Sequence, residues 1–310
     1  MGSSLKPPVA LIAGPTASGK SALALALAEQ TGGVIVNADS AQVYRDIPVL
    51  SAAPTADETG RAEHRLYGVL DGALPCSAAQ WAQMAKREIA DVHASGRIPI
   101  LAGGTGLYLR TLLEGIAPVP AIDPEVRVKV REAATDENRE RLEVLDPTAS
   151  ARLKPGDTTR INRALEVILS TGRTLSEWQK QREGGIGGAV DLRPLILLPP
   201  REWLYARCDD RFARMLKGDA IAEVEALLAR HLNPNLPIMR AIGVREVAAF
   251  LHGELSREQA IAAGQQATRR YAKRQYTWFA HQPPAEWPRF RERLDQMTSR
   301  LALELLRAKA

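Results

Sequence analysis

The chain has 310 residues, 45% of them hydrophobic and 25% charged, with a formal net charge of +5. This is ordinary globular composition, enough for one large domain or two modest ones with a sizeable core. The longest apolar runs are too short to cross a membrane and no apolar leader opens the chain, so the expectation is a cytoplasmic protein with no membrane partner. Cys76 and Cys208 are too few for a disulfide framework or a four-ligand structural zinc site. The charge is uneven: residues 1–120 carry 9 basic and 10 acidic side chains, 121–189 carry 12 and 12, and 190–310 carry 20 and 14.

In chain order, the apolar run Val9-Ala10-Leu11-Ile12 reads as a buried strand. Gly14-Pro15-Thr16-Ala17-Ser18-Gly19-Lys20-Ser21 follows, and a Leu/Ala-rich helix is expected over 20–31. The stretch fits G-x-x-x-x-G-K-[ST], a loop whose backbone N–H groups converge on phosphate oxygens at a helix N-terminus. Lys20 would add a point charge and Ser21 a Mg²⁺ ligand, so the site suits a di- or triphosphate. The motif alone leaves donation, hydrolysis and departure of the phosphates open.

Val34-Ile35-Val36 predicts a parallel strand that delivers Asp39 to the C-terminal edge of a sheet, close to the phosphate loop if the two strands are neighbours. Asp39-Ser40 could also cap a following helix. A short strand is expected at 66–70, a helix from Ser77 to about Ser95, and another strand at 98–102 that closes in Gly103-Gly104-Thr105-Gly106 before a helix over 107–113. Those glycines could serve packing alone, or Thr105 could face a ligand. The strand–helix alternation stops near Pro118, and helices around 125–134, 148–153, 158–171 and 175–182 suggest an inserted helical lobe over 121–189.

Leu195-Ile196-Leu197-Leu198 returns to strand character, and the helix beyond it carries Arg207, Arg211 and Arg214 on one face. Arg207 is the arginine assigned to the phosphates; a solvated face is the alternative. A long helix over 256–279 bears Arg269-Arg270-Tyr271-Ala272-Lys273-Arg274-Gln275, which fits either a nucleic-acid footprint or a solvated amphipathic surface. On these grounds a small-molecule kinase binding ATP and a non-catalytic RNA-binding protein both stay open. The kinase reading lacks the usual second acidic strand end, leaving Asp39 as the one carboxylate for base or metal work.

The phosphate loop, Asp39-Ser40-Ala41-Gln42-Val43-Tyr44, Gly103-Gly104-Thr105-Gly106-Leu107-Tyr108, Arg163-Ala164-Leu165-Glu166 and Ala272-Lys273-Arg274-Gln275-Tyr276-Thr277-Trp278-Phe279 together resemble the tRNA dimethylallyltransferases. The match runs in order over nearly the whole chain. The resemblance implies an α/β fold: a parallel sheet of the P-loop NTPase type flanked by helices (1–120 and 190–310) with the helical insertion. It also implies transfer of a dimethylallyl group from dimethylallyl diphosphate to N6 of adenosine 37, in the anticodon stem-loop of tRNA, by a monomer using Mg²⁺. Asp39 would be the general base. Thr16, Lys20, Arg207 and Ser21-bound Mg²⁺ would neutralise the leaving diphosphate, and Thr105 would contact the target nucleotide. Asp39, Ser40, Ala41 and Gln42 would lie against the flipped base. Arg127, Thr159, Arg160, Ile161, Asn162, Arg163, Met239, Arg240, Ala241, Ile242, Gly243 and Val244 would touch the tRNA, with Arg270, Lys273 and Arg274 on its backbone. The chain departs from the family pattern at Ala53, where lysine is common, at Arg65, where histidine is, and at Val244, where tyrosine is.

Overall fold

A computed structural model describes residues 5–307. Six strands form one sheet: β1 (Pro8–Ala13), β2 (Val34–Asn37), β3 (His64–Arg65), β4 (Pro99–Gly103), β5 (Asp191–Leu197) and β6 (Arg289–Phe290). Their order is β3-β2-β4-β1-β5-β6, and every pairing is parallel. The β1 residues Val9, Leu11 and Ala13 pack on one face with Trp81, Ile89 and Phe279, while Ala10 and Ile12 pack on the other with Leu23, Leu27 and Leu303. Both faces are covered by helices, which is why the strand sequences are continuously apolar instead of alternating.

β1 and β2 are not neighbours, because β4 lies between them. Asp39 nevertheless reaches the phosphate loop, since parallel strands deliver all their C-terminal ends to one edge. The strand expected at 66–70 does not form: Leu66 (φ 63°) and Gly68 (φ 59°) are left-handed, and Leu70 contributes only a single bridge to Tyr44.

The chain separates into a sheet unit, which runs to Leu113 and resumes at Ile186, and a helical unit, Glu114–Gly185. The helical unit packs Val130, Leu142, Ala149, Ile161, Ala164 and Leu165 into its own core. The helix Thr135–Leu145, unanticipated from the sequence, supplies Leu142 and buries Asn138, whose Nδ2 donates to the Val130 carbonyl at 2.6 Å and to Asn162 Oδ1 at 3.0 Å. The helix expected over 175–182 is one turn long, Leu175–Trp178. No described helix is long and apolar enough to cross a membrane.

Candidate active site

The phosphate loop joins β1 to the helix Lys20–Thr31 through a left-handed Gly19 (φ 97°), where a side chain would be strained and would press on Leu294. Ala17 is also left-handed (φ 63°), and its carbonyl accepts from Arg207 Nε at 3.0 Å. Lys20 Nζ donates to the Pro15 carbonyl at 3.2 Å. Desolvation pushes the Lys20 ammonium down to about 8; nearby Asp39 opposes that shift and Arg211 reinforces it. Thr16 is held twice: its N–H donates to Gln275 Oε1 at 2.8 Å, and its hydroxyl accepts from Arg211.

Asp39 follows β2 in a tight turn fixed by the fully buried Asn37. Asp39 N–H donates to Asn37 Oδ1 at 2.7 Å, and Asn37 Nδ2 donates to the carbonyls of Asp39 and Leu66, each at 3.0 Å. Asp39 Oδ1 accepts from Ala41 N–H at 3.0 Å, so the carboxylate caps a turn; the next helix starts only at Pro48. Thr105 braces this turn. Its Oγ1 accepts from Ser40 N–H at 3.0 Å and donates to Ser40 Oγ at 3.3 Å. Thr105 itself lines neither of the two cavities described next.

A cationic basin of about 670 Å³ is lined by Thr16, Ala17, Gly19, Lys20, Ser21, Gln42, Arg207, Arg211 and Arg214, with Asp39 and Glu58 as its carboxylates. Next to it an apolar cavity of about 290 Å³ is lined by Tyr44, Ile47, Leu50, Tyr108, Phe212 and Ile242, with Ser40, Ala41, Arg240, Ala241, Tyr271 and Arg274. Thr16, Asp39, Ser51, Arg211 and Met215 line both. Cys76 also faces the apolar cavity, and burial raises its thiol so that it stays protonated.

Arg211 is the larger omission of the sequence reading, which assigned only Arg207 to the phosphates. Its position four residues on, on the same helix face, was the available signal. Burial is the main cause lowering the Arg211 guanidinium. Gln275 was also missed, because nothing about a glutamine on a helix announces a partner 259 residues away.

Three residues expected at the tRNA have no surface to give it. Ile161 is fully buried in the helical unit, Val244 is 1% exposed, and Gly243 is closed over by Leu50. In each case core packing took the position. Arg240, Ala241 and Ile242 turn toward the apolar cavity, and Met239 is half-buried. Arg270, Lys273 and Arg274 are exposed on the helix Arg257–His281. In the helical unit Arg127, Thr159 and Arg160 are exposed, Arg160 pairing with Asp157, while Asn162 and the half-buried Arg163 belong to the polar set around Asn138 and Glu166. Of the departures from the family pattern, Ala53 lines the basin and Arg65 pairs with Glu63 and Glu88.

Among the described residues no group of three or more His, Cys, Asp or Glu side chains could cage a metal ion. The Ser21 hydroxyl, on the wall of the cationic basin, would be one oxygen ligand for a Mg²⁺ ion, which takes few protein ligands and completes its shell with water and phosphate.

The family model described as IPP transferase matches residues 42–282. The chain is 63% identical over 289 residues to the tRNA dimethylallyltransferase of Erythrobacter litoralis, covering 92% of this chain and 91% of that protein. It is 60% identical over 299 residues to that of Sphingopyxis alaskensis, covering 96% and 98%. Among solved structures, the full-length tRNA isopentenylpyrophosphate transferase from Bacillus halodurans is 29% identical, with a TM-score of 0.70 and 98% of each chain covered. A eukaryotic dimethylallyltransferase acting on tRNA is 29% identical with a TM-score of 0.77, covering 88% of this chain and 69% of that one. Sequence and fold agree: the chain belongs to the IPP transferase family, the tRNA dimethylallyltransferases, and is an enzyme.

Proposed function

We propose that the protein transfers the dimethylallyl group of dimethylallyl diphosphate to N6 of adenosine 37 in tRNA, with Asp39 as general base. The observation that carries this reading is the shared wall: Thr16, Asp39 and Arg211 stand between a cationic basin and an apolar cavity. A diphosphate in the basin would leave its allylic carbon at that wall, and an adenine entering the apolar cavity would bring N6 to the same place.

As the N6–carbon bond forms, the carbon–oxygen bond breaks and its electron pair leaves with the diphosphate. The N6 proton passes to Asp39. Adenine N6 is a weak nucleophile because its lone pair is delocalised into the ring, so removing this proton during attack favours the transition state. Lys20, Arg207 and Arg211 and the Thr16 hydroxyl meet the charge that grows on the departing oxygen. Ser21 would hold Mg²⁺, which supplies further charge neutralisation at the diphosphate. The apolar walls keep water from the allylic carbon, where it would compete with N6. Thr105 acts on this reading by fixing the Asp39–Ser40 turn against the nucleotide. The exposed cations Arg270, Lys273 and Arg274 hold phosphates of the tRNA, joined by Arg127, Thr159, Arg160, Asn162 and Arg163 of the helical unit. An unpaired anticodon-loop base is extruded at a cost of only about a few kcal/mol, less than a base in a duplex.

Purified protein with Mg²⁺, labelled dimethylallyl diphosphate and a tRNA carrying A36-A37 is expected to place label on A37. Absence of transfer beside an active control enzyme, or ATP consumption without RNA, would overturn the proposal.

A further inference from the structure

The helix Arg257–His281 has two sides with different work. Its outer side exposes Arg270, Lys273 and Arg274. Its inner side packs Ala272 with Leu204 and Cys208, beside Ala17 of the phosphate loop, and buries the amide of Gln275, 6% exposed, between the two glycine turns. There Gln275 Oε1 accepts the Thr16 N–H at 2.8 Å, and Nε2 donates to the Gly104 carbonyl at 2.8 Å. A β-carbon on Gly104 would overlap Nε2 and stand 3.0 Å from the Gly14 carbonyl, so the glycine leaves room for this bridge.

Two consequences follow. One amide donor of the phosphate loop, Thr16 N–H, is already spent on Gln275. The Thr16 peptide plane is therefore fixed by this helix, independently of the hydroxyl contact from Arg211. A buried side-chain amide with both ends satisfied holds a backbone segment in one orientation, and leaving either end unpaired is costly.

We infer that Gln275 is a positioning residue of the transfer reaction: by holding the Thr16 peptide it aims the Thr16 hydroxyl at the departing diphosphate. The inference rests on the reaction proposed above. It differs from a general packing role because its effect must pass through Thr16.

The test is a double-mutant cycle read by kcat and KM for dimethylallyl diphosphate and tRNA. Thr16→Val keeps the side-chain shape and removes the hydroxyl; Gln275→Met keeps the length and removes both hydrogen bonds. Gln275→Met is expected to lower kcat by about tenfold in the wild-type background, with the KM for tRNA unchanged within about threefold, and to have less than about a threefold effect when Thr16 is already valine. Gly104→Ala, which displaces the same amide without altering Gln275, is expected to reproduce this pattern and decides the matter if Gln275→Met does not fold. Equal losses in both Thr16 backgrounds, or no loss in the wild type, would overturn the inference while leaving the transfer reaction standing. A Thr16→Val protein as fast as wild type would overturn it too, since Thr16 would have no work to be aimed at. A wild-type protein that transfers nothing would instead remove the proposed function itself.

Discussion

The two cavities that meet at Asp39 are built by different means. The basin is made by backbone shape and charge: a left-handed Gly19, a left-handed Ala17 tied to Arg207, and the cations Lys20, Arg207, Arg211 and Arg214. The apolar cavity is made by side-chain volume from segments far apart in the chain, among them Ile47, Leu50, Tyr108, Phe212 and Ile242. The basin should therefore respond to changes of charge with little effect on folding. The apolar cavity should respond to lost volume through stability, because its walls belong to the main core.

Asp39→Asn tests the wall between them and has the largest expected effect. Asparagine keeps an oxygen for the Ala41 N–H, so the turn and the thermal midpoint should hold, while kcat falls by about 10²- to 10⁴-fold with tRNA affinity intact. A parallel loss of tRNA binding would make Asp39 a structural residue and dissolve the contrast.

Lys20→Met comes next. Donor binding is expected to weaken by about 10- to 100-fold, as for loss of a charge-assisted contact to phosphate, with no fall in the thermal midpoint. The ammonium of the free protein is held at about 8, below its ordinary 10.5, so between those values the unfolded chain binds more protons than the folded one. Stability of the free wild type should therefore rise from pH 8 to 10.5 relative to Lys20→Met. A midpoint that falls on substitution at neutral pH would place Lys20 among the structural residues.

Ile47→Val, a single methylene lost from the fully buried apolar wall, has the smallest expected effect. It should cost about 0.5–1.5 kcal/mol of stability in a denaturant titration and leave the donor KM unchanged. A change in donor affinity as large as that of Lys20→Met would mean that the two cavities are not separately built.

The glycine turns show how far a motif can be read. Gly14-Pro15-Thr16-Ala17-Ser18-Gly19-Lys20-Ser21 announces its chemistry because the chemistry is local: seven peptide bonds form the loop, and the lysine that serves it is inside the pattern. Gly103-Gly104-Thr105-Gly106 looks alike in sequence, but its glycines admit neighbours. Gly103 lies against the backbone of Ala38, Gly104 against Gln275, and Gly106 against Trp278, while Thr105 bonds Ser40. Which use a glycine serves depends on what approaches it, and that is not local information. The same limit explains Ile161, Gly243 and Val244. Each sits in a stretch that the family resemblance assigned to tRNA contact, and whether a given position in it faces outward was set by packing.

By itself the sequence determined the phosphate loop, the apolar strands of the sheet, the carboxylate at the end of β2 and the basic excess of the last third, because these rest on local conformation, burial and charge. Tertiary structure alone decided that β4 separates β1 from β2, that Arg211 joins Arg207 at the loop, that Gln275 bridges the two glycine turns and that Asp39 stands on a wall common to two cavities. Each of these is a meeting of residues distant in the chain, fixed by the summed packing of the whole sheet unit and by no pattern within any one segment.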